Sequence, residues 1–313
     1  MKWVLILLIG AVVVAGGGFW WWSQQVLPMS FSSTTKIAFV IVKNQTAGQI
    51  ISQLAQKGLI RSQLAARLFL LISGLERKLQ AGSFVLSPNQ TLAAIFQSLT
   101  GPPADVWVTI PEGWRREQIA ARMQSSLSPA GTGFNAQDFL TSTATMEGQL
   151  FPDTYLIPIS ATADRVVQIM TANFAAKVNL SLPSDRQTLI LASLVEREAI
   201  SEVDRPVIAG ILQKRLRAGW PLQVDAAVQY ALGNTRDWWP QVTDTKIPSP
   251  YNTYLYPGLP PGPIANPGLA AINAAKNPQS SPYWFYLHSP DGAVHYAQTI
   301  QEQAVNIDKY LRP

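Results

Sequence analysis

The chain has 313 residues, 47% of them hydrophobic, with a formal net charge of +5, enough for a substantial core and, by length, about two domains. It has no cysteine and only two histidines, His288 and His295, which excludes disulfides, thiolate chemistry and lipid attachment through cysteine, and leaves no metal-ligand spacing. The basic residues lack the clustered stripe of a nucleic-acid binder, so no nucleic acid and no cofactor is expected, and a mild basic excess suits an anionic lipid or polymer.

Residues Trp3 to Trp22 contain no charged side chain, about the length that spans a bilayer core as a helix. Trp20, Trp21 and Trp22 sit where an interfacial aromatic belt belongs, and Lys2 is the only basic residue before Lys36. The positive-inside rule then puts the N-terminus in the cytoplasm and everything after Trp22 outside. A cleaved signal peptide is the competing reading, but the apolar region is long and no good small-x-small site follows the tryptophans. A retained anchor over residues 1–27 is therefore expected.

A Ser/Thr-rich linker leads to a small module over residues 36–103. Ile37 to Val42 and Gly82 to Leu86 are strand-like, and Thr46 to Gln56 and Ser62 to Ile72 are amphipathic helices, giving a βααβ order. Gln90 to Leu99 adds a helix, and Gly101-Pro102-Pro103 makes a boundary. The strand, polar turn and helix start of Val40–Ile50 recur weakly at Val108–Ile119.

The larger region, residues 104–313, is expected to be a second α+β domain. Ser184 followed by Gln187 reads as a capping-box helix start. Leu191, Leu194, Val195 and Glu198 then share one helical stripe. That places the Glu198 carboxyl among apolar side chains, where burial penalises ionisation. An acid that keeps its proton near neutral pH can protonate a leaving group. The plainer alternative is a core-edge carboxylate paired with Arg197 or Arg205. Glu196, roughly 200° round the helix, is expected to be an ordinary solvated glutamate. A further helix starts at Asp204 and ends before Gly219. The remainder, rich in Pro, Gly, Tyr and Asn, reads as rigid loops around a site.

Four polar clusters mark that region: Glu147–Tyr155, Leu222–Asp225, Ser249–Tyr254 and Gly258–Gly268. Their Gln, Asn, Asp and Tyr residues suit sugar hydroxyls and amides, with aromatics to cover ring faces. Each taken singly also reads as a turn with structural caps. His295 reads more often as a structural residue than as one that stabilises the site.

The stretches EGQLFPDTY (147–155), LASLVEREA (191–199), PLQVDAAV (221–228) and SPYNTYLYPGLPPGPIANPG (249–268) resemble the endolytic murein transglycosylase, or YceG-like, family, in order and rough spacing. The resemblance covers nearly the whole chain. It implies a single N-terminal anchor in the cytoplasmic membrane, a LysM-like module and a lytic enzyme on the outer side. That enzyme would cut nascent peptidoglycan glycan strands between N-acetylmuramic acid and N-acetylglucosamine, leave a 1,6-anhydro end and so terminate elongation, with peptidoglycan synthases as protein partners. It further implies that Glu198 is the catalytic acid, that Gln223, Asp225, Tyr251, Asn252 and Asn266 bind substrate, and that Glu147 and Asp153 support the site. The chain departs from the family's pattern at Val224, Ala226 and Ala227, and at Ala297 and Gln303. A hydrolytic muramidase and a non-catalytic wall-binding scaffold are the rival readings.

Overall fold

The computed structural model describes residues 2–127, 133–182, 184–233 and 245–312. Helices and strands are mixed, as expected of an α+β chain. The chain divides into one unit of Met1–Val108 with Tyr155–Ser160 and a second of Thr109–Thr154 with Ala161–Pro313.

In the first unit, α1 (Lys2–Gln25) precedes β1 (Ile37–Ile41), α2 (Ala47–Gln56), α3 (Gln63–Ser73), β2 (Gly82–Leu86), α4 (Leu92–Thr100) and β3 (Asp105–Thr109), and β4 (Thr154–Pro158) returns later. The expected βααβ order is present. Local chemistry sets its ends. Thr46 and Gln49 form a reciprocal capping box on α2, and the Ser62 and Thr91 side chains accept from Ala65 and Ala94 backbone N–H groups to start α3 and α4. Gly74 stops α3 in the left-handed conformation at φ +65, which glycine adopts without a Cβ clash. Phe39 faces Phe84 across the antiparallel β1–β2 pair, and both join Ile50, Leu54, Ile95 and Phe96 in a buried core. The sheet does not stop at the boundary expected after Pro103. Its order is β1-β2-β3-β4, with Ser83 of β2 opposite Asp105 of β3, so the second edge of β2 is paired rather than left open.

Trp21, Trp22 and Val26 lean on this core, while Val12, Val13, Val14, Phe19 and Trp20 of α1 are exposed. Among the described residues no helix is long and apolar enough to cross a membrane. The side chains of residues 2–9 and of Ala11, which supply much of the expected span, lie outside them.

In the second unit come α5 (Arg116–Leu127), α6 (Ala136–Ser142), α7 (Ala163–Lys177), α8 (Arg186–Glu198), α9 (Asp204–Arg217), α10 (Asp225–Ala231), α11 (Leu269–Lys276), the antiparallel hairpin β5 (Phe285–His288) and β6 (Val294–Ala297), and α12 (Ile300–Tyr310). The strand–turn–helix echo is present as β3 and α5. Helix α8 is the pivot. It packs on α9, α10 and α11, and every residue from Leu189 to Arg197 is buried.

Three expectations are corrected here. Ser184 does not cap α8, because its hydroxyl donates to the Ser181 carbonyl, while Asp185 precedes the first turn without capping it and accepts from Ser181 N–H at 2.7 Å. Glu196 is not solvated. It is 4% exposed, because α9 and α11 cover the face expected to meet water. The segment after Gly219 is not only loops, since it holds α10, α11, the hairpin and α12.

Candidate active site

Glu198 is the last residue of α8. It is half-buried and lines a cavity of about 400 Å³ together with Arg215, Gln223, Asp225, Tyr254, Phe285, Tyr286, Leu287, His288, Ile300 and Gln303. The hairpin brings Tyr286, whose hydroxyl donates to Glu198 Oε2 at 2.8 Å. Helix α9 brings Arg215, held by its Nε donating to the Trp284 carbonyl (2.9 Å) and its Nη1 to that of Leu222 (2.6 Å). Burial pushes the Glu198 carboxyl up to about 7, the Asp225 charge adds to it, and the Tyr286 hydrogen bond and the Arg215 and Arg197 charges pull the other way. The outcome is an acid that still holds its proton near neutral pH yet has partners ready for its ionised form. The hydrogen bond shown for Glu198 is to Tyr286 rather than to the Arg197 or Arg205 of the plainer alternative. Arg205 belongs instead to Glu196, Nη2 donating to Oε1 at 3.2 Å, and Glu196 Oε2 accepts from Gly268 N–H at 3.0 Å.

Gln223 and Asp225 stand exposed at the cavity rim. Gln223 has φ +54, a left-handed backbone that a non-glycine residue holds only where its surroundings enforce it. The Ser249–Tyr254 segment does the enforcing. Gln223 N–H donates to the Thr253 carbonyl at 3.1 Å, the Thr253 hydroxyl accepts from Val224 N–H at 2.9 Å, and the Tyr254 hydroxyl donates to Asp225 Oδ1 at 2.5 Å. His288 also lines the cavity, with burial lowering its ring below the ordinary histidine value. His295 lies 3.0 Å from the Ser289 hydroxyl and stacks 3.5 Å from Tyr310.

The other candidate residues lie apart from this cavity. Asn252 is fully buried. Its Nδ2 donates to the Thr245 and Ile247 carbonyls, each at 2.8 Å, and its Oδ1 accepts from Tyr254 N–H at 3.0 Å. Asn266 is equally buried. Its Oδ1 accepts from Leu150 N–H (2.8 Å), and its Nδ2 donates to the Trp114 carbonyl (3.0 Å) and to Glu147 Oε1 (2.7 Å). The polar atoms of both amides brace the backbone that shapes the site. Tyr251 packs its half-buried ring 4.8 Å from that of Tyr230. Asp153 pairs with Lys177 (2.5 Å) and accepts from Asn173 (2.8 Å), both on α7. Burial alone would raise its carboxyl, but those hydrogen bonds outweigh it and hold the group below its usual range.

Glu147 is a second buried acid, pushed up to about 8 by burial and by the Glu117 charge. The glycine after it is required, since Gly148 sits at φ +87 with the place of a Cβ only 2.8 Å from Pro263. The raised carboxyl has a stability consequence. The folded state keeps this proton between about 4.5 and 8 while the unfolded chain loses it, so that contribution is full at the acid end and lost as pH rises. The melting temperature of Glu147→Gln is therefore expected to gain on the parent's across that window, as read by thermal scans at stepped pH.

The first unit's broader groove, about 830 Å³, is lined by amides, hydroxyls, Lys43 and Arg67 without a carboxylate, so it offers no general acid. Among the described residues no cluster could hold a metal ion. Arg215, Tyr286 and Gln303 were not legible as site residues, because tertiary contacts alone bring them to Glu198; Tyr254 closes the Ser249–Tyr254 cluster that the sequence did mark.

Fold and site together define a class: an α+β protein with a buried, raised carboxylic acid in an open cleft edged by amide, carboxyl and phenol groups. The YceG-like family matches residues 39–309, and the chain belongs to that family. An endolytic murein transglycosylase of Bacillus subtilis (strain 168) is 29% identical over 318 residues, spanning 91% of this chain and 87% of that protein. One from Streptococcus pneumoniae (strain R6) is 28% identical over 335 residues, spanning 91% of this chain and 60% of its longer relative. The crystal structure of a YceG-like protein from Listeria monocytogenes matches with a TM-score of 0.56 at 27% identity, over 87% of this chain and 99% of that one.

Proposed function

We propose that the chain is an endolytic murein transglycosylase that cuts nascent glycan strands between N-acetylmuramic acid and N-acetylglucosamine and so ends their elongation. Glu198 carries the reading, as an acid in the cleft whose carboxyl burial raises to about 7. It gives that proton to the glycosidic oxygen as the muramic C1–O bond breaks. The C6 hydroxyl of the same muramic residue then attacks C1, and ionised Glu198 takes the hydroxyl proton. The products are a 1,6-anhydro end and a free 4-hydroxyl, with no water consumed. Tyr286 and Arg215 stabilise the carboxylate between the two proton transfers. Gln223 and Asp225 are placed at the rim to hold substrate groups.

The proposal includes a single-pass anchor at residues 1–27 in the cytoplasmic membrane, N-terminus inside, on the strength of the uncharged stretch from Trp3 to Trp22. A LysM-like module at 36–103 and a catalytic region from 104 follow on the outer side, with peptidoglycan synthases as protein partners.

Asp225 favours a second reading. A carboxylate beside the acid could activate water, as in a hydrolytic muramidase. Mass spectrometry of fragments from uncrosslinked glycan separates the two. Anhydro ends are expected; ends heavier by one water would replace the lyase with the hydrolase, and no cleavage at all would leave a wall-binding scaffold.

The acid's ionisation should appear in kinetics. The kcat/KM is expected to fall as pH rises past about 7, because Glu198 must begin protonated. Tyr286→Phe removes a donor to the carboxylate. It should move that limb to higher pH and slow turnover by roughly 10- to 150-fold, the effect of about 1.5–3 kcal/mol for a hydrogen bond to a charged group. An unmoved pH limb would show that the contact does not tune the acid.

A further inference from the structure

Helix α3 is apolar on two sides. Ala65, Ala66 and Leu70 face the module core. Leu64, Leu68, Leu71 and Ile72 are 59%, 37%, 75% and 77% exposed. Their i, i+4, i+7, i+8 spacing places them on one outward stripe. A helix apolar round most of its girth is normally buried, so this stripe calls for a cover.

The charge around it indicates which. Residues 36–103 hold seven Lys and Arg and one acid, Glu76, a net +6 in a chain whose total is +5; residues 104–313 are slightly acidic by the same count. Exposed Arg67 borders the stripe on α3, and exposed Arg77 and Lys78 follow just past its end, with Glu76 beside them. The same unit carries the exposed apolar side chains of α1. Aliphatic side chains rimmed by cations are the combination that seats a peripheral helix in an anionic bilayer, apolar face at the acyl boundary and cations among headgroups. A glycan would match the charge but not four bare aliphatic side chains.

We infer that the outward face of α3 rests on an anionic lipid surface, as a contact separate from the proposed anchor. The chain has no cysteine, so a single one can report locally. Full-length protein carrying Leu71→Cys, labelled with a polarity-sensitive fluorophore, would be mixed with vesicles whose acyl chains bear nitroxide quenchers. Strong quenching is expected with phosphatidylglycerol present and little with phosphatidylcholine alone. Arg77→Gln and Lys78→Gln should each weaken the contact by about fivefold, and high salt should weaken it too. A label at Val13→Cys reports α1 independently, so failure of the anchor and failure of the α3 contact are told apart. An unquenched Leu71 label in anionic vesicles would overturn the inference. So would equal quenching in both lipids, or disulfide linkage of two unlabelled Leu71→Cys chains, which would make a second copy the cover.

Discussion

Replacing Glu198 with Gln is expected to lower kcat for strand cleavage by about 10²- to 10⁴-fold, the range for loss of a positioned general acid. The fold should survive. Gln keeps the shape, and its oxygen can still accept from the Tyr286 hydroxyl that lies 2.8 Å from Glu198 Oε2. It has no acidic proton to give to a leaving oxygen and cannot take one back from the C6 hydroxyl. The stability effect has the opposite sign. Because burial raises the native carboxyl from 4.5 to about 7, the parent loses stability as pH climbs through that interval while its unfolded chain is already ionised. The Gln variant is uncharged throughout, so above neutrality it should melt at least as high as the parent. Activity near the parent's would remove Glu198 from the mechanism; a collapse in melting temperature would mean that it holds the fold instead.

Glu196→Ala is expected to do the reverse, unfolding the second unit early without touching the acid. Glu196 joins three elements. It sits on α8, accepts from Arg205 of α9 at 3.2 Å, and accepts from Gly268 N–H at the start of α11 at 3.0 Å. Its side chain is 4% exposed and that of Arg205 10%, so removing the carboxylate strands a buried guanidinium and a buried N–H. Breaking such a pair from one side costs about 3–5 kcal/mol, a fall in melting temperature on the order of 10 °C for a chain of this size. Glu112 lies 3.8 Å from Arg205 but is half exposed, so it offsets little. Glu196→Gln should fall between, since its amide can accept from Gly268 N–H but turns a donor toward Arg205. A melting temperature within a degree or so of the parent's would show that the three helices do not depend on this contact.

The first unit was legible because its signals are local. Thr46, Ser62 and Thr91 cap helices within three residues, and Gly74 ends one. Glu198 was legible for a related reason: the spacing of Leu191, Leu194 and Val195 marks a buried stripe whatever covers it. Glu196 was not, since a single stripe implies a wet opposite face, whereas α8 is wrapped on several sides. The partner that decides it, Gly268, lies 72 residues along the chain. Asn252 and Asn266 show the same limit. An asparagine suits a sugar hydroxyl and a stray backbone carbonyl equally well, and only tertiary contacts separate the two uses. The β5–β6 hairpin did carry a readable sign. Asp291-Gly292 lies between two alternating aromatic and aliphatic runs, and Gly292 turns at φ +84; the surrounding prolines made the segment read as loop. Short α10 and α11 lack capping side chains and had no such marker.

What remains is to watch the proton itself. Carboxyl carbons of glutamate can be labelled with ¹³C and followed by NMR against pH, in the parent and in Glu198→Gln, so that the signal missing from the variant is Glu198. A midpoint near 7 is expected for that carbon. A midpoint at the ordinary value of about 4.5 would mean an acid already ionised at neutral pH, with nothing to donate.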